Sequence, residues 1–223
     1  ILPNQLLDST IKYHIDFFRR FNDKFKNILK KHLVDTNNNN WWNAEKKTIE
    51  SYSYQWNKFK FMIKEWEDVF NVSIQPIESN FFKGKFGFDA GCGFGRSMYY
   101  SLKYGAEMIG IDLSNSVQAA RENLREFSCA HLIQADIFHL PFKENTFDFI
   151  YSIGVLQHLP DPKNGFMYLT RYLKKKSPIF IWVYAKGKGR QVKVFNLVRK
   201  FSIRIPLKVL NLICCIMAGL QFT

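Results

Sequence analysis

Between about residues 85 and 185, short apolar runs alternate with stretches of helical period, and this alternation restricts the fold more than any other property of the chain. "KFGFDA", "EMIGID", "HLIQAD", "FDFIYS" and "IFIWVYA" have the length and the aromatic or β-branched content of strands. "GRSMYYSLKYG", "NSVQAARENLREF" and "NGFMYLTRYLKK" carry apolar residues at helical spacing. Apolar strands separated by helices predict a parallel sheet covered on both faces. The expected fold class is therefore α/β, a Rossmann-like doubly wound sheet of mainly parallel strands with helices on both faces, over residues 80–190.

The flanks read differently. From Ile11 to Leu33 the apolar residues recur at three and four, with Lys12, Arg19, Arg20 and Lys24 among the residues of the opposite face. This predicts a packed helix with a solvated basic face. The asparagines Asn37 to Asn40 predict a loop, and "SYSYQWNKFKFMIKEWEDVF" predicts a second, aromatic-rich helix. Residues 1–79 are thus an N-terminal helical segment and a candidate lid, whereas 191–223 are a basic, apolar, helical tail. The net charge of +13 belongs to the C-terminal part: residues 171–223 hold 12 Lys and Arg and no acidic residue, against 20 basic and 19 acidic in 1–170. The apolar stretch from Ile205 to Phe222 is interrupted by Pro206, Lys208 and Asn211, which favours a packed, lid or interfacial helix over a membrane span. Contact with a membrane surface is one expectation for it, and nucleic acid a weaker one.

Cys92, Cys129, Cys214 and Cys215 form no CxxC pair and have no histidine cluster beside them, so neither a metal site nor a disulfide framework is expected. A reducing, cytoplasmic setting follows, peripheral to the membrane if the tail makes contact. Ile1 at the start and "CCIMAGLQFT" at the end are what a piece of a longer protein would show.

The chemistry concentrates at the first strand-to-helix turn. "FDAGCGFGR" places Asp89 before Gly91, Gly93 and Gly95, where an open parallel sheet binds its ligand. Glycine permits a positive-φ turn and close approach of a ligand to backbone amides. Asp112 closes the second strand 21 residues after Gly91, where a carboxylate can accept both ribose hydroxyls of a nucleoside. Asp136 ends the third strand, either accepting from an adenine amino group beside Ile137 or capping a turn. Nicotinamide enzymes of this fold usually read GxGxxG over a pyrophosphate, which an aspartate would repel; here GxGxG follows an aspartate, which would attract a sulfonium or ammonium. Cys92, between the glycines, is expected as a small buried filler.

"FDAGCGFGR", "GIDLS", "QADIFHLPFKENTFDFIYS" and "GVLQHLPDP" resemble, in order and spacing, the motifs of the class I S-adenosylmethionine-dependent methyltransferases, over about residues 85–185. The resemblance implies that Asp89 and the backbone at Gly91, Gly93 and Gly95 hold the methionine part of S-adenosylmethionine. It implies Asp112 on the ribose, Leu113 on the adenine face, Asp136 and Ile137 at the adenine edge, and Ser152 beside the methionine end. S-adenosylhomocysteine would be the product. Asp112→Ala is expected to lose cofactor affinity with the fold intact.

His158, in "LQHLPDP" after the fourth strand, is the candidate catalytic base, with a structural donor as the competing reading. The expected acceptor is a small molecule or a lipid- or glycan-linked group. RNA, or cofactor binding without turnover, are the alternatives. "SIGV" stands where an acidic-Pro-Pro-aromatic motif would mark methylation of an adenine or glutamine nitrogen. "SYSYQWNKF" resembles the segment that precedes the domain in one subgroup, where it folds over the cofactor; packing the first helix on the sheet is the other reading. The family normally closes its sheet with two more strands, which are expected either outside this sequence or after a helical insertion.

Overall fold

The apolar runs form five strands: β1 (Phe86–Ala90), β2 (Glu107–Asp112), β3 (Ala130–Gln134), β4 (Phe149–Ile153) and β5 (Ile179–Trp182). The computed structural model describes residues 40–184, 197–202 and 204–221, in two compact units divided between Val183 and Tyr184. The helix expected from Ile11 to Leu33 lies outside the described residues. In spatial order the sheet runs β3-β2-β1-β4-β5, and all four pairings are parallel. The order reverses direction between β1 and β4, so the carboxyl ends of these two strands open the crevice in which a doubly wound sheet binds ligands.

Alternate strand residues face two separate cores, as the two-residue period requires. Phe88, Ala90, Ile109, Ile111 and Ile150 pack with Phe142, Phe147 and Leu169 on one side. Met108, Phe149 and Tyr151 pack with Phe70, Met98 and Leu102 on the other. The second core is covered by α2 (Glu65–Ser73) and α3 (Arg96–Lys103), which supply Phe70 and Met98. The first is covered by α5 (Pro162–Thr170), through Leu169. Aromatic stacking accounts for much of each: Phe88 and Phe147 lie parallel with ring centroids 4.9 Å apart, and Phe82 meets Phe149 edge-on at 5.0 Å.

Local chemistry fixes several boundaries. Asp161 caps α5, its carboxylate accepting from the Asn164 amide at 2.9 Å, with Pro162 in the first turn. The short α4 (Val117–Asn123) stops before the end of the "NSVQAARENLREF" stretch. The single helix expected across "SYSYQWNKFKFMIKEWEDVF" is instead two, α1 (Asn40–Lys58) and α2, separated by residues 59–64. Side chains satisfy the carbonyls of that break: Asn123 Nδ2 donates to Lys60 O at 2.8 Å and the Tyr100 hydroxyl to Ile63 O at 3.2 Å. Asn40 is already helical rather than in a loop; Asn37 to Asn39 lie outside the described residues.

Past Trp182 the described residues hold no strand. They hold a helical turn at 197–202 and α6 (Leu207–Gln221). Among the described residues no helix is long and apolar enough to cross a membrane.

Candidate functional site

A cavity of about 180 Å³ opens at the carboxyl ends of β1 and β4. Asp89 forms its floor. The side chain is only 3% exposed, and among the described residues no hydrogen bond reaches its carboxylate. Burial, with the Asp112 carboxylate nearby adding to it, pushes the Asp89 carboxyl well above the usual range, while the Arg96 guanidinium pulls the other way. Arg96 lines the cavity and lies over the Trp66 ring, 4.4 Å from its centroid.

The glycine turn is built by the fold before any ligand arrives. Gly91 (φ +99°) and Gly95 (φ +83°) occupy the left-handed region. A Cβ at Gly91 would lie 2.3 Å from the Val155 side chain, and one at Gly95 2.9 Å from Leu124. The expected bare amides are already spent. Gly91 N and Cys92 N donate to Ile111 O at 2.9 and 2.7 Å, and Gly95 N to Cys92 O at 2.8 Å. Gly93 N donates to Asp112 Oδ2 at 2.9 Å. With these four donors engaged, the turn beside the Asp89 carboxylate favours a positively charged group over a phosphate.

Asp112 is as much a strut as a binding group. Besides Gly93 N, it accepts from Ser114 N at 2.9 Å and Ser114 Oγ at 2.7 Å, both on Oδ1. Its Oδ2 keeps one acceptor direction for a ligand hydroxyl. Leu113 lines the cavity beside it. Asp136 also lines the cavity, and it caps the following turn: Oδ1 accepts from Phe138 N at 3.0 Å, and Oδ2 lies 2.9 Å from His139 Nδ1.

Three expected site residues stand one position away from the cavity wall, the first being Gly95, between Phe94 and Arg96, which line it. Ile137 is buried in the core and Phe138 lines the cavity. Ser152 is fully buried, donating from Oγ to Ala90 O at 3.0 Å, and Ile153, Gly154 and Val155 reach the cavity beyond it. Cys92 is packed as a filler next to Gly110, and burial raises its thiol well above the ordinary value, so it stays protonated.

The opposite wall comes from α1. Ile49, Tyr52 and Trp56 share one face of that helix and all line the cavity. Trp56 packs on Phe94, with centroids 5.2 Å apart. Tyr52 meets the His158 ring edge-on at 5.0 Å, and its hydroxyl lies 2.9 Å from His158 Nε2. On the adjoining face, Ser53 Oγ and Asn57 Nδ2 both donate to Asn115 Oδ1, the second at 3.0 Å. Of the competing readings of "SYSYQWNKF", the helix faces the cavity. His158 also lies 3.3 Å from Gln157 Nε2. Among the described residues no group of three or more His, Cys, Asp or Glu side chains is placed to hold a metal ion.

Comparison with known proteins follows this geometry. Residues 88–181 match a family model described as a methyltransferase domain. Over 120 residues the chain is 34% identical to an uncharacterised protein of Methanocaldococcus jannaschii, covering 54% of this chain and 50% of that one. It is 30% identical over 130 residues to phosphoethanolamine N-methyltransferase 2 of Caenorhabditis elegans, covering 56% of this chain and 30% of the relative. It is 43% identical over 79 residues to the chloroplastic tocopherol O-methyltransferase of Arabidopsis thaliana, covering 33% and 22%. The chain therefore spans half the length of the first relative and less than a third of the other two.

Proposed function

We infer, from the match of residues 88–181 to a methyltransferase domain and from motifs that resemble those of the class I S-adenosylmethionine-dependent enzymes, that the chain transfers a methyl group to a small-molecule or a lipid- or glycan-linked acceptor. The observation that carries this reading is the pair of opposed walls. A buried carboxylate that no hydrogen bond reaches among the described residues stands on one side with a turn whose donors are spent, and the Tyr52–His158 pair on the other.

The site's residues fit the cofactor. S-adenosylmethionine supplies a methyl group made electrophilic by a sulfonium. Asp89 offers its carboxylate to a cationic group, and the remaining acceptor direction on Asp112 Oδ2 serves a ribose hydroxyl. Leu113 and Phe138 give apolar surface to a base, and Asp136 accepts at its edge. Trp56, Phe94 and Tyr52 exclude water, which strengthens each of these contacts.

Methyl transfer is an in-line displacement, so positioning supplies much of the rate and a base is needed only where the acceptor must lose a proton. His158, which lines the cavity beside Tyr52, is the residue this reading assigns to that. The Tyr52 hydroxyl and His158 Nε2 share a hydrogen bond, so a proton taken up at the phenol oxygen passes to Nε2 as the phenolic proton moves across. Ile49, Val155, Leu159 and Pro160 make this end of the cavity apolar, which suits an acceptor with a greasy or compact body. Relatives named for a nitrogen and for an oxygen acceptor are consistent with a pair that serves either.

The test is methyl transfer from labelled S-adenosylmethionine into cell extract, followed by separation into lipid and glycan, small-molecule, RNA and protein pools. Label is expected in one of the first two. His158→Gln and Tyr52→Phe are expected to lower turnover by about 10²–10⁴-fold while S-adenosylhomocysteine still binds. Label in the RNA pool would replace the acceptor class, and full turnover in His158→Gln would remove the base. Failure of the unaltered chain to bind S-adenosylhomocysteine would overturn the whole reading.

A further inference from the structure

The C-terminal unit presents its apolar stripe outward. In α6, Val209, Leu212, Ile213 and Ile216 recur at the spacing of one helix face, and they are 47%, 59%, 39% and 55% exposed. A helix at the surface of a globular unit ordinarily turns this stripe inward. In the helical turn at 197–202, Leu197, Val198 and Phe201 are exposed in the same way, at 57–61%. None of the described residues of this unit is buried.

The charge around the stripe indicates its occupant. Tyr184–Thr223 contains eight Lys and Arg and no Asp or Glu. Arg199, Lys200, Arg204 and Lys208 are all exposed, next to the apolar side chains. A partner protein surface would have to be both apolar and strongly acidic. An anionic bilayer offers both properties in one plane, with acyl chains below and phosphate and carboxylate groups above. The helix is too short to span: its 15 residues give about 22 Å at the helical rise, against about 30 Å of hydrocarbon. It has the length and the stripe to lie flat.

We propose that the unit from Tyr184 onward docks on an anionic membrane surface, with the Val209–Ile216 stripe in the acyl boundary and the four exposed cations at the headgroups. This proposal rests on the second unit alone and not on the methyl-transfer reading, so the two fail separately.

The experiment is co-sedimentation of the full chain with vesicles of phosphatidylcholine alone and of equal parts phosphatidylcholine and phosphatidylserine, at low and high salt. Binding is expected only with phosphatidylserine, falling steeply with salt and by about fivefold for each cation removed. Lys200→Gln with Arg204→Gln changes only exposed side chains and reads the electrostatic part. Leu212→Glu with Ile216→Glu reads the apolar part and is expected to abolish binding, with circular dichroism confirming the helix. Equal binding to both vesicle types, or no binding to either, overturns the proposal. Self-association of the unaltered chain in light scattering, lost in the double glutamate variant without any vesicle binding, would assign the stripe to a second copy instead.

Discussion

Asp89 is held at the end of β1 in a state that burial disfavours when charged. Its raised folded pKa means that the folded chain keeps a proton which the unfolded chain has already released. Stability from this group is therefore full below the unfolded value and falls as pH rises towards the folded one. Asp89→Asn removes that loss. Its melting temperature is expected to exceed the unaltered chain's at neutral pH and to converge with it in acid, as calorimetry across pH would show. The same change is expected to weaken S-adenosylhomocysteine binding by about 10–100-fold, the worth of a bond to a charged acceptor. A variant no more stable at neutral pH would mean that the carboxylate is not strained by its burial. Asp112 behaves differently, because its three hydrogen bonds tie the glycine turn to the end of β2. Asp112→Ala is expected to cost both affinity and about 1–3 kcal/mol of stability in urea unfolding, so the fold would not be left untouched. At this scale the sequence was legible in type and less so in position. Asp89, Gly91 and Gly93 line the cavity, but Gly95, Ile137 and Ser152 were also taken for cavity residues and stand one step away from Phe94, Phe138 and Ile153. Ser152 and Ile153 are neighbours on β4 and face opposite ways, while Ile137 and Phe138 diverge on a short 3-10 turn, and a motif alone gives neither direction.

The helix α1 is the element whose role was least legible. Ile49, Tyr52 and Trp56 have a spacing that serves equally to pack on a sheet or to wall a cavity, and periodicity cannot separate the two. The strands were legible because apolar runs bounded by turn residues have few other uses in a parallel sheet. Besides the ring contacts of Trp56 and Tyr52, polar contacts hold α1 in place: Asn115 accepts from Ser53 and Asn57, and just past its end Lys60 pairs with Glu122. Asn115→Ala is expected to loosen this wall without touching either core. Hydrogen exchange should rise in α1 while β1 and β4 keep their protection, and cofactor affinity should drop by a few-fold. Unfolding in urea should keep its midpoint within the small range of a surface change. A large fall in the midpoint would show that α1 belongs to the folding core rather than to the cavity's wall.

Across the whole chain, charge and burial are distributed unequally. The first unit holds all 19 acidic residues of the chain and both cores, whereas the second carries cations without any acid, and exposed apolar side chains. Amides of α6 are accordingly expected to exchange faster than those of β1 in the free chain and to slow on phosphatidylserine vesicles, with the sheet unchanged. Exchange in α6 indifferent to such vesicles would argue against docking. The basic excess of this end was plain from counting, but the outward turn of the Val209–Ile216 stripe was not, since sequence gives a stripe and not the direction it faces. Trp56 leaves a further consequence. Its indole lies 3.4 Å from where a Cβ on Gly93 would stand, in the wall that the cofactor would touch. Filling the cavity must change the polarity around that ring, and with it the colour and yield of its emission, so the chain carries its own optical gauge of occupancy. Trp56→Phe would silence that signal while the remaining tryptophans go on emitting.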